Sequence, residues 1–77
     1  MEIGKLYKND SSYFVSIADC TDSYYTRRKY IGDLCPSDIF ILLDFSVKEG
    51  VWLKILTERG MIGWVGKDWF GKTLIKL

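Results

Sequence analysis

The 77-residue chain contains no histidine, one proline and two cysteines, and its 11 basic and 10 acidic side chains leave a net charge of only +1. Each shortage excludes something. Without histidine the commonest general base and the commonest metal ligand are both missing. Cys20 and Cys35 match no zinc spacing, so no metal and no cofactor is expected. The balanced charge carries no global signature of a dedicated nucleic-acid binder. No apolar run approaches the roughly 18 residues of a membrane span. The N-terminal stretch MEIGKLYKND is polar and lacks the apolar centre of a secretory signal. The expectation is a cytoplasmic protein whose two thiols stay reduced.

Aromatic and aliphatic residues, by contrast, are plentiful. Hydrophobic residues make up 48% of the chain and aromatics 16%, with three Trp, five Tyr and four Phe. That composition is folded rather than disordered. The length allows a single domain, residues 1–77. A domain of this size buries only about 60% of its unfolded surface, so the core must be dense.

The patterning is that of strands. Residues 3–7 and 13–18 are the first candidates, joined by the turn residues Asn9-Asp10-Ser11-Ser12, whose side chains bond their own backbone. Residues 19–38 read mainly as a long loop, with Pro36 disfavouring helix at Cys35. IFILLDF, residues 39–45, reads as a strand buried on both faces for most of its length. Val47 to Gly50 turns the chain. In VWLKILT, Trp52, Lys54 and Leu56 alternate with Leu53, Ile55 and Thr57. Glu58-Arg59-Gly60 is a hairpin turn with Gly60 available for positive φ, and residues 61–66 form the partner strand. Residues 67–70 suit one turn of 3₁₀-helix, and TLIKL closes the chain as a last strand. A helix over 39–57 is the rival reading, opposed by Gly50 and the β-branched content. Short strands, glycine turns and no long amphipathic helix predict an all-β barrel or partial barrel.

Particular residues carry a family resemblance. Leu6-Tyr7 lies in the first candidate strand. Ile39 to Phe45 is an aliphatic strand, Trp52 opens the next, Gly60 sits in the hairpin, Gly63-Trp64-Val65 follows, and Trp69-Phe70 falls in the 3₁₀ turn. This order resembles the Src-homology 3 (SH3) barrel, above all its bacterial relatives, mainly over residues 31–77. The resemblance implies a small five-stranded barrel with a long early loop, binding a partner through groove aromatics at Tyr7, Trp52 and Trp69. Eukaryotic members carry a proline after the Gly-Tyr-Ile strand, where this chain has Gly66. Trp64 is assigned to the core or its rim.

A second constellation is YYTRRKY, residues 24–30. Tyr24, Tyr25 and Tyr30 interleave with Arg27, Arg28 and Lys29, which is the composition of a surface for an acidic partner or a single nucleic-acid strand. Asp33, Asp38 and Asp44 have no nucleophile or base beside them and suit turns and caps. Cys35 has no histidine to activate it. The glycines 60, 63 and 66 flank a hairpin, where close strand approach explains them better than a phosphate loop. The functional expectation is therefore a non-enzymatic module that binds a protein through Tyr7, Tyr24, Tyr25, Arg27, Arg28, Tyr30, Trp52 and Trp69. Its size is that of accessory or phage-encoded modulators. Nucleic-acid binding through residues 24–30 is one alternative. The other is self-assembly, with IFILLDF pairing edge to edge if it lies at a sheet rim.

Overall fold

The computed structural model describes residues 2–19, 29–46, 52–69 and 73–77, with only the backbone of Trp69. The described chain is all-β. Its strands are β1 (Leu6–Asn9), β2 (Val15–Ala18), β3 (Tyr30–Leu34), β4 (Ile39–Ser46), β5 (Trp52–Thr57), β6 (Ile62–Gly66) and β7 (Leu74–Lys76). One 3₁₀ turn, η1 (Lys67–Trp69), follows β6. All pairings are antiparallel, and the order across the sheet is β3-β2-β6-β5-β4-β1-β7. The sheet has seven strands rather than five, and among the described residues it ends at β3 and β7 instead of closing.

Two sequence expectations are corrected here. The segment expected as loop contains β3, because Leu34 needs burial and finds it by pairing with Val15 of β2. IFILLDF is buried on one face only. Phe40 and Leu42 are enclosed, whereas Ile39, Ile41 and Leu43 are half-buried. It is also not a rim strand: β4 pairs with β1 on one side and β5 on the other, so IFILLDF itself offers no free edge.

The core draws on every strand. Tyr7, Val15, Ile17, Leu34, Phe40, Leu42, Leu53, Ile55, Val65 and Leu74 are all 3% exposed or less. They come from the inward face that strand alternation creates, as in β5, where Leu53, Ile55 and Thr57 point in. The Tyr7 and Phe40 rings stack at 5.8 Å between centroids. Emptying the Phe40 site to alanine costs about 3–5 kcal/mol at such a core position.

Two glycines serve the geometry. Gly60 adopts φ +84° and closes the β5–β6 hairpin as expected. Gly63 lies where β6 approaches β2. A Cβ there would collide with Cγ2 of Ile17 and stand 2.9 Å from the Ala18 carbonyl oxygen.

Asn9 is the polar keystone of the core. Its side chain is fully buried at the end of β1. Nδ2 donates to the carbonyls of Tyr13 (2.8 Å), Leu34 (3.0 Å) and Cys35 (3.2 Å), and Oδ1 accepts from Ser11 Oγ at 2.7 Å. Its backbone exchanges bonds with Asp38 and Ser37. One side chain thus ties β1 to both arms of the β2–β3 hairpin and to the turn before β4.

Candidate functional site

The outward face of β4, β5 and β6 follows from the same alternation that fills the core. With Leu53 and Ile55 inside, Trp52, Lys54 and Leu56 stand outside. With Gly63 and Val65 inside, Ile62, Trp64 and Gly66 stand outside. The register then lines up residues distant in sequence. Tyr30 pairs with Ala18, Ala18 with Trp64, Trp64 with Lys54, and Lys54 with Asp44. Directly paired residues share a face, so this row crosses five strands on one surface.

Two irregularities make the row possible. A register shift between Ile17 and Ala18 lets both be buried, Ile17 in the core and Ala18 against the outer row. A second shift between Leu42 and Asp44 brings Asp44, rather than Leu43, opposite Lys54.

Trp52 stands two pairs along from this row on the same face, between Ser46 on β4 and Gly66 on β6. Gly66 is the last residue of β6, directly before η1. Trp64 is half-buried, a rim residue, and the Lys54 ammonium lies 5.9 Å from its ring centroid, at the outer range of cation–π attraction. Asp44 Oδ1 accepts the Phe45 N–H at 2.8 Å, which fixes the carboxylate at the row's end. Tyr30 is 59% exposed at the opposite end. Beside it, the Asp19 N–H donates to the Lys29 carbonyl at 2.8 Å, and the Lys29 N–H donates to Asp19 Oδ1 at 2.9 Å.

The expected site residues distribute as follows. Trp52 and Tyr30 belong to this outer surface. Tyr7 does not: it is 3% exposed, its ring lies on Phe40, and its hydroxyl accepts the Glu2 N–H at 2.6 Å. A core position is incompatible with contacting a partner, so Tyr7 leaves the site. Trp69 ends η1, three residues beyond Gly66. Tyr24, Tyr25, Arg27 and Arg28 lie outside the described residues. Sequence reasoning missed Lys54 and Asp44 as neighbours of the aromatics. The signal was present in part, since Lys54 alternates onto the face of Trp52, but the partner strand's register is invisible in one strand.

Of the acidic residues expected in turns, Asp38 is in one, whereas Asp33 lies within β3 and Asp44 within β4. Asp38 Oδ2 accepts the Cys35 N–H at 2.8 Å and meets the Arg59 guanidinium at 3.4 Å. Cys35 itself is a half-buried free thiol. Among the described residues, no three histidine, cysteine or carboxylate side chains cluster as metal ligands, and no helix is long and apolar enough to cross a membrane. No family model, no curated protein and no solved structure matches the chain.

Proposed function

We propose that the chain is a non-catalytic binding module of SH3-like plan that holds a protein partner on the surface of Trp52, Trp64, Tyr30 and Lys54. The observation that carries this reading is the cross-strand row from Tyr30 through Trp64 and Lys54 to Asp44, with Trp52 beside it. Flat aromatic faces with one cation and one anion at fixed spacing suit a mixed protein surface, and aromatic anchors dominate such contacts. The plan is supported by strand order. In this reading β1, β4, β5, β6 and β7, which are contiguous in the sheet, correspond to the five barrel strands of that family, and the β2–β3 hairpin to the long loop between the first two. Gly66 in place of proline turns the reading away from polyproline ligands and toward a different peptide or protein face. The near-neutral charge favours protein over nucleic acid.

The test is retention from cell lysate on the immobilised protein. A protein is retained in moderate salt, and Trp52→Ala releases it while leaving the unfolding midpoint close to wild type. Retention unaffected by Trp52→Ala, Trp64→Ala and Tyr30→Ala refutes the site. Retention of nucleic acid alone, lost steeply with salt, refutes the partner class.

A further inference from the structure

The outer face carries an apolar row that the core does not use. Leu6 pairs with Ile41, Ile41 with Leu56, and Leu56 with Ile62, so four aliphatic side chains stand abreast across β1, β4, β5 and β6. Leu6 is 48% and Ile62 52% exposed. A hollow of about 120 Å³, with Leu6, Ile39, Ile41 and Leu56 in its wall, opens along the row. Charges flank it in a pattern. On one side Asp44 of β4 is opposite Lys54 of β5. On the other, Lys8 of β1 is opposite Ile39, whose N–H is bonded by the Glu58 carboxylate at 3.2 Å. Lys8 also meets Asp10 at 4.0 Å in solvent.

We propose that this face packs on the same face of a second copy, about a two-fold axis parallel to the strands and passing between Ile41 and Leu56. That axis lays β1 over β6 and β4 over β5 of the other copy. Leu6 then faces Ile62, and Ile41 faces Leu56. The same operation sets Lys54 over Asp44 of the second copy, twice by symmetry. It also sets Glu58 over Ile39, next to Lys8. One rotation therefore matches the apolar row and the Lys54–Asp44 flank, which is the self-complementarity an isologous dimer requires. Facing sheets lie about 10 Å apart, a gap that Lys and Glu side chains reaching from both sides can span. The face is the outside of a curved sheet, so contact is confined to the row and its flanks. That places the interface below the standard ~800 Å² per partner, in the range of weak and concentration-dependent association. Lys54 and Asp44 belong also to the partner surface proposed above, whereas Leu6, Ile41, Leu56 and Ile62 do not, so substitution at Ile62 reads the dimer apart from that surface.

Sedimentation from about 10 μM to about 1 mM, the span of weak association, tests it. The weight-average mass of the wild type rises toward the dimer. Ile62→Lys, at an exposed position, raises the dissociation constant at least about tenfold and leaves the melting curve unchanged, because it buries an uncompensated charge only in the dimer. Lys54→Glu alone also weakens association by setting two carboxylates together. Adding Asp44→Lys restores it, since the axis exchanges both signs. A monomer at every concentration overturns the proposal and leaves the row to a different partner. So does a dimer that Ile62→Lys does not weaken, or a double variant that associates no better than Lys54→Glu.

Discussion

Removing the Asn9 side chain should be the most damaging polar substitution in the domain. Asn9→Ala takes the donor from three carbonyls at once. The Leu34 bond is buried, so its carbonyl is left without a partner at a cost of about 2 kcal/mol. The Tyr13 and Cys35 bonds are partly buried, and water replaces them at about 0.5–1 kcal/mol each. The total is about 3–4 kcal/mol. A 77-residue domain has roughly 4–11 kcal/mol to lose. At about 4–8 °C per kcal/mol, melting falls by roughly 12–30 °C. Urea unfolding followed by tryptophan fluorescence reads the loss as a lowered midpoint at unchanged slope. Asn9→Asp sharpens the test, because it keeps the shape but replaces the donor with a carboxylate facing carbonyl oxygens. That carboxyl is held above its ordinary value in the fold, so the variant is worst near neutral pH and recovers as pH falls toward about 4. Losses below about 1 kcal/mol in both variants, or no pH dependence in Asn9→Asp, would refute the keystone role.

Other outcomes follow from single contacts. Gly63→Ala forces its new methyl onto Ile17 and the Ala18 carbonyl, so the unfolding free energy falls by about 2 kcal/mol, as overpacking does; loss smaller than about 0.5 kcal/mol means β2 and β6 are not held this close. The Lys76 ammonium hydrogen-bonds Glu2 and holds its carboxyl below the ordinary value of 4.5. A lowered folded value stabilises above about pH 4.5 and is lost as pH falls through it. Wild type and Lys76→Met should therefore differ slightly in urea midpoint near pH 6, converge toward pH 3 and converge in high salt; a gap independent of pH and salt counts against the pair.

The sequence disclosed what depends on neighbours along the chain. The alternation of β5, the positive φ at Gly60 and the 3₁₀ turn after β6 are local facts, and each was legible. Pairing was not. β3 was concealed because Gly32 and Asp33 interrupt its apolar pattern, and only its pairing with β2 identifies it as a strand. Tyr7 was read toward the surface because a tyrosine suits either environment. Its stacking on Phe40 is decided by a strand more than thirty positions away. Asn9 reads as a turn residue from its neighbours Asp10, Ser11 and Ser12, and that is half of its role. The other half is capture of two carbonyls at the end of β3, which no local pattern announces.

The apolar outer row poses the same problem in stronger form. Leu6, Ile41, Leu56 and Ile62 are scattered along the sequence and meet only through register. A folding explanation is available for part of it, since β-branched residues suit strands on either face. It does not cover Leu6 and Leu56, which are not β-branched, and threonine serves strand propensity without exposing carbon. The two explanations separate at the half-exposed ends. If the row exists for folding, Leu6→Thr with Ile62→Thr costs well over 1 kcal/mol of stability. If it exists for association, the pair shifts the unfolding free energy by no more than about 1 kcal/mol in total, as exposed sites do, while the dimer is lost in sedimentation. A double variant that unfolds much more easily yet still associates would assign the row to the fold and remove the interface.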